Sequence, residues 1–411
     1  MEQAITGWRF PSLKVPITGF LLVLLLVPIA TSLGSVHANE SNASLLSTCN
    51  ASLIPHVIAA EAQIDSNAAI GLAENNSAFI AAVNGQTYTF SGVATSYSFN
   101  TVTCSDLSLK SVSVNFYLPS VGSVCDNTKI PTGIQVLEDP SLAHVINVQV
   151  NSGECAANSP NWDGYQVHTT YGGTQTNQVY STTSFSQPTA SSNSYCNQSP
   201  YVCAVLVWSG LSNQTYSTNP AFIAQTGTEA EMNCTSLSCP SPSYVGWYEF
   251  YPGGLNQCTG DTVNTGDSMQ ALAENGYYWG GASNAYRTFL FDDTGTGWIC
   301  SSGSQTAPSG TGITSYAETV VERPKIAGHL SVLATFNSGS SLTLSGSQEC
   351  YYLSSLQNPL QCTGFYNDIQ TEITMQNSCN GTNTNNISTG SLDSGSTFTE
   401  TFSTACGTTG G

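Results

Sequence analysis

The side chains most able to do acid–base chemistry in this chain are carboxylates. The sequence contains 26 Asp and Glu residues but only five histidines. Hydrolysis of an amide without a metal needs a base that activates water and a donor that stabilises the oxyanion. There is no Gly-x-Ser-x-Gly elbow, and His56, His144, His168 and His329 have no neighbouring nucleophile signature. Because histidine is charged in acid and then fails as a base, carboxylates are the natural candidates there.

Two Asp-Gly turns, Asp293-Thr-Gly-Thr and Asp393-Ser-Gly-Ser, form one candidate set. They resemble the paired loops of aspartic peptidases, in which two carboxyls share a proton and suit catalysis in acid. However, they lie only 100 residues apart, which is short for two full lobes. The same tripeptides are also ordinary turn chemistry. We favour the turn interpretation and keep the aspartic mechanism as an alternative.

A second set of motifs is ordered along the C-terminal two thirds of the chain. Its members are Asn161-Trp-Asp-Gly-Tyr165, Trp208-Ser-Gly-Leu211, Ile223-Ala-Gln-Thr-Gly227, Trp247-Tyr-Glu-Phe-Tyr-Pro252, Gly266-Asp267 and Ala317-Glu-Thr-Val-Val-Glu322. Together they resemble the glutamic peptidases of the eqolisin family over roughly residues 159–404. The stretch Trp247–Pro252, lying between the Gln and Glu motifs, is the most specific of them.

The resemblance implies a β-sandwich of two antiparallel sheets with a Gln/Glu dyad on its concave face. By position, Gln225 matches the family's catalytic glutamine and Glu322 its catalytic glutamate. The chemistry of the two groups agrees with this assignment: a carboxyl can activate water and return the proton, and a neutral carboxamide donates at any pH. The resemblance implies no metal and no organic cofactor.

Strand alternation places further candidates beside the dyad. Trp247, Glu249 and Tyr251 share one face of a strand, and Glu322 shares a face of another strand with Glu318. We expect Trp208, Glu229, Trp247, Glu249 and Tyr251 to line or support the site. Core packing is the competing interpretation for the aromatic residues.

Several positions depart from the family pattern. Ser212 stands where an Asp is usual, Val245 replaces an Asp, and Thr319 replaces a Trp. Glu229, four residues after Gln225, is a substitute for an Asp of the family. These departures put the substrate preference and the hydrogen-bond network in doubt.

Short alternating segments such as 112–117, 145–150 and 330–336, divided by Gly, Ser, Asn and Pro, predict β-strands. An Ala-rich stretch, 52–83, is the main helical signal. The predicted fold is therefore all-β, an antiparallel double-sheet β-sandwich of the concanavalin or lectin-like jelly-roll type, with an N-terminal helix-plus-strand extension.

Four regions follow from composition. Residues 1–38 read as a signal peptide with Arg9, Lys14 and a short apolar run; retention as an anchor is the alternative. Residues 39–158 form either a removable pro-segment or a permanent accessory domain. Residues 159–404 form the sandwich, and residues 405–411 a flexible tail.

Charge and cysteine content indicate an exported chain suited to acid. Seven Lys and Arg face the 26 carboxylates, for a net charge of −19 at pH 7, so nucleic acid is excluded as a partner. In acid the carboxylates become neutral, and few cations remain to repel one another. The 14 cysteines fit disulfides, with Cys196/Cys203, Cys234/Cys239 and Cys379/Cys406 as candidate pairs.

The sequence thus predicts a monomeric, secreted acid endopeptidase that acts on polypeptides, with association with the cell surface as the alternative location. Sequons at Asn42, Asn213, Asn233, Asn380 and Asn386 predict glycosylation. The alternative from a different class is a non-enzymatic carbohydrate-binding or cell-surface module, because β-sandwiches with exposed Trp and Tyr often hold sugars.

Overall fold

The computed structural model describes most of the chain after residue 47. The described residues are 48–118, 131–152, 161–171, 174–213, 222–260, 262–307, 314–326, 329–338, 340–352, 360–365, 368–393 and 396–408. The predicted signal peptide and residues 409–411 lie outside them. No helix within these ranges is long and apolar enough to cross a membrane.

Helices are confined to the beginning of the described chain and to one short turn. They are α1 (Thr48–Glu61), α2 (Ser66–Glu74), α3 (Ser77–Val83) and α4 (Gly276–Trp279). Asp65 caps α2 and Asn76 caps α3, each by accepting bonds from two backbone N–H groups. The Ala-rich stretch is therefore helical as predicted, in three pieces.

Strands make up most of the rest. Before the sandwich motifs they are β1 (Thr89–Asn100), β2 (Ser105–Tyr117), β3 (Pro131–Glu138) and β4 (Val145–Ser152). The next group is β5 (Trp162–His168), β6 (Thr170–Tyr171), β7 (Thr174–Gln175), β8 (Asn177–Ser186), β9 (Ala190–Ser191), β10 (Val202–Ser212), β11 (Ile223–Asn233), β12 (Ser243–Tyr251), β13 (Leu255–Gln257), β14 (Ser268–Asn275), β15 (Ala285–Asp292) and β16 (Thr296–Ser301).

The remaining strands are mostly short. They are β17 (Gln305–Thr306), β18 (Tyr316–Glu322), β19 (Lys325–Ile326), β20 (His329–Leu330), β21 (Val332–Leu333), β22 (Thr335–Phe336), β23 (Leu342–Tyr352), β24 (Leu360–Gly364), β25 (Ile369–Ile373), β26 (Gln376–Cys379), β27 (Thr382–Asn385), β28 (Ile387–Thr389) and β29 (Phe398–Phe402).

Two sheets form the predicted antiparallel β-sandwich. The large sheet runs β28-β29-β23-β8-β14-β15-β16-β1-β2-β3-β4, and the small sheet runs β13-β12-β11-β10-β18-β5-β25. Alternate residues of β10, including Val205, Val207 and Leu211, pack against residues such as Ala271 and Leu290 of the large sheet. The main apolar core therefore lies between the two sheets. The opposite face of the small sheet, called here its second face, does not contribute to this core.

Some predicted segments differ from the structure in detail. The alternation at 330–336 predicts one strand, but the segment is broken into β20, β21 and β22, which pair with three different strands. Residues 405–408 open the predicted flexible tail, yet Cys406 is bonded to Cys379, and Thr408 is buried and accepts from Arg323. A disulfide and a buried cation thus hold residues 406 and 408 to the rest of the fold.

Six disulfides lie within the described ranges. The three candidate pairs are confirmed, and the others are Cys49–Cys104, Cys258–Cys300 and Cys350–Cys362. They fit an exported chain. Of the sequons, Asn386 is fully buried and donates to Thr404 and Cys406, so it is no glycan acceptor in this fold.

Candidate active site

The second face of the small sheet collects the predicted site residues. Because side chains alternate along a strand, positions 206, 208, 210 and 212 of β10 point away from the core that holds Val205 and Val207. The antiparallel register then brings the matching positions of β12, β11, β18 and β5 to the same face. A separate apolar cluster, with Trp162, Trp208 and Trp247 as its largest members, lies on this face.

One row of paired residues across the sheet contains Gln225. It runs Glu249, Gln225, Gly210, Glu318 and Gln166 on β12, β11, β10, β18 and β5. The row is therefore polar along its whole width except at the central glycine. Two carboxamides and two carboxyls face the same side.

A second row contains Glu322. It runs Val245, Glu229, Leu206, Glu322 and Trp162 on the same five strands. Along β10 this row lies four residues from the first. The Cα atoms of Gln225 and Glu322 are therefore separated by about 13 Å along the strand direction and by about 10 Å across the two strand spacings between β11 and β18. Long side chains that lean toward each other have to span this diagonal.

Trp208 occupies the middle of that diagonal. It pairs with Gly227 on one side and with Val320 on the other. The indole is completely buried, and its Nε1 donates to Glu322 Oε2 at 2.7 Å. Asn161 Nδ2 donates to the other carboxyl oxygen, Oε1, at 3.0 Å. Both oxygens of Glu322 are thus oriented by donors, an arrangement that favours the carboxylate form.

Gln225 is held from the opposite strand. Its Nε2 donates to Glu249 Oε2 at 2.6 Å, while its Oε1 is buried and has no hydrogen-bond partner among the described residues. The carboxamide therefore has one N–H bound to Glu249 and a second N–H left for a ligand. The amide can also be flipped, which exchanges its oxygen and nitrogen. In that orientation a protonated Glu249 donates to Oε1 of Gln225, and both N–H groups of Gln225 are left for a ligand.

Burial dominates the ionisation of the site. It raises the pKa of Glu322 to about 8 from its usual 4.5, against the opposing effect of the indole and amide donors. Burial, with the nearby Glu231 and Glu322, raises the pKa of Glu229 to about 8. Burial likewise raises the pKa of Glu249 and of Glu318 to about 7. In acid the closed site therefore holds neutral carboxyl groups.

Sequence reasoning missed a second amide–carboxyl pair on this face. Gln166 donates to Glu318 Oε1, and Ser212 Oγ donates to the same oxygen at 2.7 Å. Glu318 Oε2 is buried without a partner among the described residues. The alternation of Glu318 with Glu322 was a usable signal for Glu318. Ser212, at the position where the family has an Asp, is a neutral donor, so the carboxyl in this part of the network is that of Glu318.

Close backbone approach explains the glycine of the Gln-Thr-Gly motif. A Cβ on Gly227 would lie 2.0 Å from the carbonyl oxygen of Val207 and 2.7 Å from Cα of Trp208. Only glycine lets β11 approach β10 beside the indole. Trp247, the partner of Gly227 on β12, and Tyr251 are also buried on this face.

The two aspartates of the alternative mechanism are not brought together. Asp293 follows the end of β15, whereas Asp393 accepts from the backbone N–H of Thr397, beside the start of β29. Strands β14, β8 and β23 lie between them in the large sheet. Four strand spacings correspond to about 19 Å, too far for two carboxyls to share a proton. Within the described residues, no group of three His, Cys, Asp or Glu side chains could hold a metal ion.

Comparisons with known proteins return solved structures only. No protein-family model and no curated protein matches the chain. A scytalido-glutamic peptidase bound to a transition state analog inhibitor is 17% identical, with a TM-score of 0.42, over 59% of this chain and 98% of that one. SCP-B, a member of the eqolisin family of peptidases in complex with the tripeptide Ala-Ile-His, is 17% identical, with a TM-score of 0.40, over 59% of this chain and 98% of that one. Aspergilloglutamic peptidase from Aspergillus niger is 19% identical, with a TM-score of 0.35, over 49% of this chain and 99% of that one. These similar structures are glutamic peptidases of the eqolisin family, at identities that leave the function to be argued from the site.

Proposed function

We propose that this protein is a secreted, acid-active endopeptidase in which Glu322 and Gln225 act on a water molecule and a substrate peptide bond. The observation that carries the proposal is the placement of both side chains on one face of a single sheet, on opposite sides of Trp208. Each is oriented by its own hydrogen-bond partner, Glu322 by Trp208 and Asn161, and Gln225 by Glu249.

The reaction follows from what the two groups can exchange. Ionised Glu322 takes a proton from water as the water oxygen bonds to the peptide carbonyl carbon, and the carbonyl becomes an oxyanion. The free N–H of Gln225 donates to that oxyanion. Collapse of the intermediate breaks the C–N bond, and Glu322 returns its proton to the leaving amine. Glu322 ends ionised, as it began.

Water entry is part of this mechanism. Glu322 is only 7% exposed and Gln225 only 5%, so a peptide reaches them only when this face opens. Burial is also the main cause of the raised pKa of Glu322. The opening that admits substrate and water therefore lowers this pKa toward its usual range, while Trp208 and Asn161 continue to stabilise the carboxylate.

The surrounding side chains support the pair in different ways. Glu249 orients the carboxamide of Gln225 and, being protonated in acid, adds no negative charge beside the oxyanion. Glu229 lies two strands from Glu322 in the same row and is also neutral in acid. Trp247 and Tyr251 give the face an apolar wall that suits the side chains of a polypeptide substrate.

Removal of the carboxamide of Gln225 separates this mechanism from the aspartic one. With a denatured protein substrate in acid, Gln225→Ala should lose about 10²–10³-fold in kcat, the usual effect of removing one oxyanion donor. Asp293→Asn and a statine-type inhibitor should leave the rate unchanged. Full activity of Gln225→Ala together with inactivity of Asp293→Asn would support the aspartic mechanism instead.

The same assay addresses the sugar-binding alternative. That alternative requires exposed aromatic rings, and the large rings of the site face do not meet this requirement, because Trp208 and Trp247 are at most 1% exposed. We expect new amino termini to appear in the protein substrate and no retention of the chain on immobilised glycan. Retention on glycan without any new amino termini would favour the binding module.

A further inference from the structure

The described parts of the N-terminal segment 48–152, residues 48–118 and 131–152, are built into the sandwich rather than placed beside it. Strand β1 pairs antiparallel with β16 from Thr95↔Ser301 to Asn100↔Thr296, and β2, β3 and β4 follow in the same sheet. The segment thus continues the hydrogen-bond ladder of the large sheet past β16. Without it, the backbone groups of β16 on that side would be an open sheet edge.

The segment also covers an apolar surface of the large sheet. Leu53 and Val57 of α1 belong to a buried cluster with Val179, Phe289 and Phe291 of β8 and β15. Each of these side chains is at most 1% exposed. Removal of the segment would expose large apolar side chains of the sandwich to water.

Polar contacts extend from the segment to the small sheet. Asn115 and Gln135, on β2 and β3, donate to the hydroxyl of Tyr248 at 3.1 and 3.2 Å. Gln135 also donates to the backbone oxygen of Gln257 on β13 at 3.2 Å. Tyr248 is buried and stands on β12 between Trp247 and Glu249. The segment therefore touches the strand that carries the partner of Gln225.

We propose that residues 48–152 are retained in the mature protein as a permanent part of its fold, and that Asn115 and Gln135 hold β12 in place through Tyr248. Retention follows from the shared ladder and the shared core. The second half, that this contact positions a strand of the catalytic site, rests on the proposed function. Among the described residues, the contacts between the segment and the rest of the fold are hydrogen bonds and apolar packing.

Maturation of the full secreted chain tests retention. The protein is held at acid pH until the masses of its polypeptides no longer change. It is then analysed by native size-exclusion chromatography and by mass spectrometry. We expect one particle that contains residues 48–152, whether or not the chain has been cut between 152 and 161. A soluble, folded particle that begins near residue 159 and lacks the segment would overturn the proposal.

A matched pair of substitutions tests the shared core without any peptidase assay. Val57→Asp places a charge in the cluster against Phe289, whereas Ala59→Asp lies on the exposed side of α1. We expect Val57→Asp to lower the midpoint of a single unfolding transition of the whole protein. The midpoint of Ala59→Asp should be close to that of the wild type. If Val57→Asp melts only the segment and leaves a separate main transition unmoved, the segment is an independent accessory domain.

Hydrogen exchange tests the positioning role. Tyr248→Phe removes the hydroxyl that Asn115 and Gln135 contact and should speed amide exchange in both β12 and β3. Tyr244→Phe, on the same strand, loses a hydroxyl contact to the backbone of Ala190 instead and should leave β3 unchanged. Unchanged exchange in β3 of Tyr248→Phe would overturn the coupling. Since this readout needs no activity, it separates failure of this inference from failure of the proposed peptidase.

Discussion

Trp208 links the two residues on which the proposed chemistry depends. Its ring fills the diagonal between Gln225 and Glu322, and its N–H stabilises the Glu322 carboxylate. The motif order in the sequence singled out these three residues as candidates for the site. Asn161 and Gln166 were not assigned roles, because their hydrogen bonds to Glu322 and Glu318 depend on which strands become neighbours, and local sequence does not encode that pairing.

Loss of the indole N–H should change the ionisation of Glu322. A hydrogen bond to a charged group is worth about 1.5–3 kcal/mol, and one pKa unit is about 1.4 kcal/mol. Trp208→Phe should therefore raise the pKa of Glu322 and move the acid-side limb of the kcat/KM profile to higher pH by about one to two units. The control Trp298→Phe also removes an indole N–H bond, to the backbone of Thr262, and should leave the limb in place. An unmoved limb in Trp208→Phe would mean that the limb does not report Glu322.

At the scale of elements, the candidate site depends on the pairing of β10 with β11 on one side and with β18 on the other. Alternation predicted correctly which residues of β12 and β18 share a face, since a period of two is a local property of an extended chain. The same rule failed to foresee the breaks at 330–336. There the chain changes partner from β19 to β10 to β9 within a few residues, and long-range pairing decides this.

The close approach of β11 to β10 should be sensitive to a single methyl group. Gly227→Ala would force the strands apart beside Trp208 and should destabilise the fold by about 2 kcal/mol or more. Gly71→Ala in helix α2 is the matched control: a Cβ there meets nothing within 4 Å, and alanine should stabilise the helix by about 0.5–1 kcal/mol. Urea unfolding of both variants measures the difference. Equal stability of the two variants would contradict the tight packing of β11 on β10.

At the scale of the whole molecule, the fold buries several carboxyls whose raised pKa values keep them neutral in acid. Besides the site, Glu349 and Asp368 share the hydroxyl of Thr169, and burial together with the charge of Asp368 raises the pKa of Glu349 well above its usual value. Composition predicted tolerance of acid from the scarcity of Lys and Arg. It did not predict these buried pairs, and it could not show that the N-terminal segment continues the large sheet, because β1 and its partner β16 lie about 200 residues apart.

Stability should fall as the pH rises through the neutral range. The pKa values of Glu322, Glu229, Glu249 and Glu318 are raised to about 7–8 in the folded chain and are near 4.5 when it unfolds. Between these values the folded state holds more protons, so the stabilisation is complete below about pH 4.5 and is lost toward pH 8. Each such group contributes a slope of up to about 1.4 kcal/mol per pH unit.

Urea unfolding at a series of pH values checks this slope. Glu349→Gln removes one buried ionisation and should make the decline shallower, whereas the exposed Glu74→Gln should change it little. Stability that is constant or increases from pH 4.5 to 8 would show that burial does not control these carboxyls.

The most direct test of the proposal is the hydrolysis of a denatured protein by the Glu322→Gln variant at about pH 4.5, near the usual pKa of a glutamic acid carboxyl group, where Glu322 in the opened site is partly ionised. Glutamine keeps the size of the side chain and one oxygen that accepts from Trp208, while its NH2 group can donate to Asn161 if that amide turns, but it cannot accept a proton from water. The matched control is Glu372→Gln, an exposed carboxyl on β25 of the same sheet. Measured as new amino termini per minute, the wild type and Glu372→Gln should be equally active and Glu322→Gln at least about 10²-fold slower. Equal rates for Glu322→Gln and the wild type would contradict the assignment of Glu322 as the group that activates water.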